Sequence, residues 1–198
     1  MRDVDADLVE ALRRAEPDGP ERLLERYGDR IYRLALCITG VEEDAAEAVE
    51  DTLRTTVRMI HTLIGEPAFG SWISRTAAKA AYQRLRMRRP HANEVTLDAV
   101  VPALGDDGRH FEWMKDWSNR IDERAQQGAL HGILREAIDA LPPDYRTALV
   151  LHDVDDASKP DIAEILGVDV PGVKSRVHRA RLFVRMRLSE YFEAAAAA

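Results

Sequence analysis

Ile162, Ala163, Leu166, Gly167, Val168, Val170 and Val173 stand at the spacing of a helix-turn-helix, and their effect is to leave one face of the following helix in water. That face carries Lys174, Ser175, Arg176, His178, Arg179 and Arg181. An arginine fork can bond O6 and N7 of guanine together, while Lys and Ser reach bases or phosphates. Ala163 is small because the second helix must cross close to it, and Gly167 suits a turn with positive φ. Pro171 to Ser189 holds no acid, in a chain with 35 Asp and Glu against 28 Lys and Arg and a net charge of −7. The summed charge argues against a nucleic-acid binder, but a ligand meets the local patch. Duplex recognition is the chemistry this face fits, with Pro171 at its start.

A second basic stretch is different in kind. From Ser71 to Arg89 the chain carries Arg75, Lys79, Arg84, Arg86, Arg88 and Arg89 without an acid, with Phe69 and Trp72 leading in and Tyr82 inside. Cations interleaved with rings suit a single strand, whose exposed bases stack on aromatics. Phe69 and Trp72 fit core positions equally well. Upstream, Glu42 to Asp51 reverses the sign, with acids and no base. Nothing points to catalysis, a metal or a cofactor. The six histidines are scattered without ligand spacing, and no phosphate loop or nucleophile motif occurs. Cys37 is the only cysteine, which excludes internal disulfides, and its place between Leu36 and Ile38 reads as a small buried hydrophobe. No apolar run reaches the roughly 18 residues of a membrane span, and Met1 to Glu10 lacks a secretion signal, so a cytoplasmic protein without membrane contact is expected.

The elements that must position these residues are helical. Apolar residues recur at three and four positions, and alternating β-branched runs are scarce. Helices are predicted over about 6–15, 21–39, 44–63, 71–89, 129–141, 145–151, 159–166 and 171–191. Gly40 stands where a helix ends, and Ser158 with Asp161 forms a capping box. In the third helix Val49, Leu53, Val57, Ile60 and Ile64 read as the buried stripe. From His91 to Gly128 periodicity weakens and the charge turns acidic, with Phe111, Trp113, Met114 and Trp117 as odd aromatic and apolar members of a connector. The fold expected is all-α, with an N-terminal helical bundle (1–90), an acidic linker (91–128) and a C-terminal helix-turn-helix domain (129–193).

These segments resemble the extracytoplasmic-function sigma factors of bacterial RNA polymerase. Asp5 to Val9 and Leu24 to Ala35 are similar to the opening of the family's promoter-melting domain. Asp44 to Asp51 resembles its core-binding helix, Phe69 to Arg75 and Leu85 to Arg89 its strand-opening segment. Leu141 to Arg146, Ile162 to Val168 and Val173 to Arg181 resemble its −35-binding domain. The chain departs from the pattern at Ala48, Glu50-Asp51, Thr76, Lys79-Ala80 and Lys159-Pro160. The resemblance implies that Asp44, Glu47, Glu50 and Asp51 dock on the clamp helices of core polymerase. It implies that Gly65, Glu66, Phe69, Trp72, Arg75, Lys79, Tyr82 and Arg86 handle melted −10 DNA. The −35 duplex falls to Lys159, Pro171, Lys174, Ser175, Arg176, His178, Arg179 and Arg181, and an anti-sigma factor is an implied partner. A helix-turn-helix regulator that never meets polymerase, or a sigma-like decoy for an anti-sigma factor, are the competing readings.

Overall fold

Two glycines with positive φ, Gly40 and Gly167, end the helices that precede the acidic segment and the recognition segment. The structure, a computed structural model, describes residues 5–63, 69–88 and 124–197. The described helices are α1 (Ala6–Arg13), α2 (Gly19–Thr39), α3 (Glu42–Met59), α4 (Phe69–Arg88), α5 (Arg124–Asp139), α6 (Pro143–Asp153), α7 (Lys159–Leu166) and α8 (Val170–Ala197), with a 3-10 turn, Ile60–Thr62, after α3. No strand occurs among the described residues. At the end of α2, the Gly40 N–H closes on the Leu36 carbonyl at 2.8 Å with φ +69°, a left-handed cap that costs a glycine least.

α2, α3 and α4 pack on one another, with α1 against α2. Leu23, Ile31, Ile38, Phe69, Ile73 and Leu85 form the interior of this bundle. In the C-terminal half α6, α7 and the start of α8 pack together, and α5 lies along α8. The buried apolar residues of the bundle join those of α6, α7 and α8 in one continuous cluster. It runs from Leu8 through Phe69 to Leu151, Ile162 and Val173. A second cluster, with Leu141, Tyr145, Leu149 and Phe183, fixes α5 and the rest of α8.

Three expectations are corrected. The buried stripe of α3 is Ala45, Ala48, Thr52 and Thr56, with Ile60 beyond. Val49 and Leu53 are only half-buried and Val57 is 41% exposed. Small side chains let α3 lie close against two neighbours at once, and the Thr52 hydroxyl is satisfied by donating to the Ala48 carbonyl at 2.6 Å. Cys37 is exposed. It sits on the face of α2 turned from the bundle, and partial burial and then Asp139 push its thiol above the ordinary value. Finally, α5 begins at Arg124, before the expected 129, and α8 continues past Tyr191. Residues Gly65, Glu66, Phe111, Trp113, Met114 and Trp117 lie outside the described residues.

Candidate nucleic-acid interface

The recognition unit is built by short-range bonds that its own sequence dictates. Ser158 Oγ accepts the Asp161 N–H at 3.3 Å and donates to the Asp161 carboxylate at 2.6 Å, which starts α7. Gly167, at φ +68°, ends it. The Asp169 carboxylate then accepts the Gly172 N–H at 2.8 Å and caps α8. A Cβ at Gly172 would fall 2.8 Å from that same carboxylate oxygen, so a larger residue there would push the capping side chain aside. Ile162, Leu166, Val173 and Val177 are buried and fix the angle between α7 and α8.

With that angle set, Pro171, Lys174, Ser175, His178 and Arg181 are exposed, and Lys159, Arg176 and Arg179 are half-buried. The eight residues expected at a duplex therefore divide. Lys174, Ser175 and His178 point to solvent from the first turns of α8, where a major-groove helix makes its base contacts. Arg176 instead folds back along its own helix. It donates to the Gly172 carbonyl at 3.3 Å, and a second nitrogen lies 3.8 Å from Asp144. Arg181 is tied to Asp153, with a 2.9 Å bond from Nε. That hydrogen bond, outweighing burial and helped by His152, holds the Asp153 carboxyl below the usual range.

The second site lies along α4. Phe69 is fully buried, edge-on to Tyr27 with centroids 5.4 Å apart and stacked on Trp72 at 6.2 Å. The ring closes the bundle and presents no face to a base, whereas Trp72 is half-buried. Arg75, Lys79 and Tyr82 fall on one face at helical spacing, and each is met by the C-terminal half. Arg75 donates to Asp161 at 2.8 Å, Lys79 to Glu164 at 2.6 Å, and the Tyr82 hydroxyl to Asp144 at 2.8 Å. Ser74 and Arg30 both donate to Asp155, at 3.2 and 2.9 Å. Burial raises the Tyr82 phenol well above its ordinary value, and Asp144 raises it further. Burial alone would raise the Asp161 carboxyl, but bonds from Ser158 and Arg75 and the Arg75 and Lys79 charges hold it low. Arg86 is exposed.

The acids of α3 are also placed differently from one another. Arg84 of α4 bonds Asp51 through Nε at 3.1 Å and also pairs with Glu47, while Arg88 reaches Asp44 at 2.8 Å. Three of the four acids expected at polymerase therefore pin α3 to α4. Glu50 alone stays exposed without a partner among the described residues. On its face, one and two turns on, stand Leu53, Arg54 and Val57. The sequence reading assigned Leu53 and Val57 to the core and gave Arg54 no contact. The signal that could have separated them was the run of Ala45, Ala48, Thr52 and Thr56 at the same spacing, a stripe small enough to be the buried one.

Arg146 holds the joint between the halves. It is 6% exposed and donates to the Ile38 carbonyl at 2.8 Å, at the end of α2 where helix carbonyls lack partners. Its guanidinium would lie 3.1 Å from a Cβ at Gly40, so the left-handed glycine also makes room for it.

Residues 23–90 match the family described as Sigma-70 region 2, and residues 131–184 match Sigma-70, region 4. The chain is 29% identical to the RNA polymerase sigma-H factor of Pseudomonas aeruginosa, over 89% of this chain and 90% of that one. It is 26% identical to the ECF RNA polymerase sigma factor SigW of Bacillus subtilis, over 92% and 95%. With the ECF RNA polymerase sigma factor SigE of Mycolicibacterium smegmatis the identity is 27%, over 86% of this chain and 62% of that protein. In fold it is similar to CnrH, solved in complex with the cytosolic domain of CnrY, with a TM-score of 0.56, 20% identity, and coverage of 95% and 99%. It is also similar to the sigma factor RpoE of Bartonella quintana, solved with the anti-sigma factor NepR, with a TM-score of 0.54, 20% identity, and coverage of 85% and 95%. By the two sigma-70 regions it carries, in order, and by these relatives, the chain belongs to the extracytoplasmic-function sigma factors of RNA polymerase.

Proposed function

We propose that the chain binds core RNA polymerase and directs initiation from promoters with separate −35 and −10 elements. Residues 1–90 form the domain for polymerase and melted DNA, and 129–193 the −35 domain. The observation that carries this reading is the capped α7–α8 unit, which turns Lys174, Ser175 and His178 into solvent in a chain that also holds a region 2 bundle. Those three read the duplex, with Lys159, Arg179 and Arg181 toward the phosphates that set register. Arg75, Lys79, Tyr82 and Trp72 hold the opened strand, which favours melting because the single strand is bound better than the duplex. Glu50, Leu53, Arg54 and Val57 form the face that meets polymerase. An anti-sigma factor is a natural partner of such a chain, as in the solved complex of RpoE with the anti-sigma factor NepR.

Reconstitution with purified core polymerase and a promoter library tests the whole reading. Core-dependent transcripts from one defined pair of elements are expected, and duplex binding without core association would leave only a DNA-binding regulator. Within that assay, Lys174→Ala with His178→Ala should lower transcription at least about tenfold, equivalent to losing one good base contact of about 1–3 kcal/mol, and leave core binding intact. Val57→Arg should weaken core binding and leave duplex binding intact. Equal loss of both activities from either change would break the division of roles.

A further inference from the structure

We propose that Asp169, which caps α8, also reads a base: with Arg176 it forms an acceptor–donor pair beside Gly172 that selects a G·C pair in the −35 duplex. This rests on the assignment of α8 to that duplex. Asp169 is exposed, at the end of the helix that enters the groove. One of its carboxylate oxygens accepts the Gly172 N–H at 2.8 Å, and the other has no partner among the described residues. Gly172 and Arg176 stand one turn apart on the same side of α8, and an Arg176 nitrogen donates to the Gly172 carbonyl at 3.3 Å. A Cβ at Gly172 would lie 2.8 Å from the Asp169 oxygen and 3.2 Å from that Arg176 nitrogen. The missing side chain therefore leaves a notch in the first turn of α8, bordered at once by an anion and a cation.

Such a pair matches the edge of one base pair. In the major groove a G·C pair offers guanine O6 and N7 as acceptors and the cytosine N4 amino group as a donor. The Arg176 fork donates to guanine, and the open Asp169 oxygen accepts from cytosine. Its second terminal nitrogen is 3.8 Å from Asp144, a loose pair that lets the fork turn to the guanine edge. Against thymine O4 or guanine O6 the Asp169 carboxylate sets acceptor against acceptor, so it rejects as well as selects. An acid at this tip is repelled by DNA phosphates, and serine or asparagine would cap α8 as well without that cost. Base selection is what the carboxylate adds to the cap.

The test uses holoenzyme reconstituted from the full chain and purified core polymerase, on promoters randomised across the −35 element, with transcripts counted by sequencing. The parent is expected to favour G·C over A·T at one position of that element by about tenfold or more. Asp169→Ser keeps a cap of equal quality and removes the charged acceptor, and it should shrink that preference about tenfold at that position alone. Asp169→Asn, which both donates and accepts, should shift the choice there toward adenine. Arg176→Ala should relax the same base pair. An unchanged preference in Asp169→Ser, or a uniform fall across all sequences, would overturn base reading and leave Asp169 as a cap. Relaxation of different base pairs by the Asp169 and Arg176 variants would overturn their pairing. A parent with no preference anywhere in the −35 element, matched by an equally silent Lys174→Ala with His178→Ala variant, would instead bring down the assignment of α8 to that duplex.

Discussion

Asp144 is the residue on which most of the interface chemistry converges. It is 6% exposed, at the start of α6, where the helix dipole favours an acid, and it accepts from Tyr82 while facing Arg176. The consequence can be read at Tyr82. A phenol held neutral by burial and a neighbouring carboxylate ionises later than in the unfolded chain, so its support for the fold is full below its ordinary value near 10 and fades as pH climbs from there through the raised value. Tyr27 behaves alike, raised first by burial and then by its bond to Asp5. An ultraviolet titration should therefore leave Tyr27 and Tyr82 silent at about pH 11. The acids have the opposite sign. Asp153 and Asp161 titrate lower in the fold than in the unfolded chain, so their stabilisation is full above roughly pH 4 and fades as pH falls through their depressed values. Asp153→Asn should flatten the acid limb of the stability curve, and an unaltered limb would mean the Arg181 pairing carries no weight.

At the scale of elements, the capped pieces were the legible ones. The Ser158–Asp161 box, Gly167 and Gly40 each rely on bonds between near neighbours in sequence, and α7 ends where those residues place it. The two halves of the recognition unit and its exposed basic residues were readable for the same reason. α3 was misread because hydropathy ranks valine and leucine above alanine and threonine, while a helix wedged between two others needs small side chains more than greasy ones. The pairings of Arg75, Lys79 and Tyr82 were beyond reach, since their partners lie more than sixty residues downstream and no local pattern announces them. Gly40 allows a test of one helix end: Gly40→Ala should destabilise the chain by about 1–2 kcal/mol from its left-handed φ alone, before the crowding of Arg146 is added. A denaturation midpoint matching the parent would show that the α2 end relaxes freely.

For the whole molecule, the seam between the halves mixes one buried joint with a row of half-exposed pairs, and the two should differ sharply in cost. Arg146→Met removes a charge-assisted bond to an otherwise orphaned helix carbonyl and should cost about 2–3 kcal/mol. Arg30→Ala breaks an open pair with Asp155 and should cost less than about 1 kcal/mol. Chemical denaturation of the two variants reads the difference, and a reversed order would put the strength of the seam in its ionic row.

Beneath that row runs the continuous apolar cluster, from the bundle into Ala148, Leu151 and Ile162. A chain that parts leaves oily flanks on both pieces, and water is a poor host for either. Polymerase offers one way to cover them. A second copy offers another: two parted chains can exchange C-terminal halves and rebuild every native contact between neighbours. Concentrated preparations, and variants lacking the Arg75–Asp161 and Lys79–Glu164 pairs most of all, should therefore hold an interlocked dimer that returns to monomer on dilution at a rate set by unlocking rather than by diffusion.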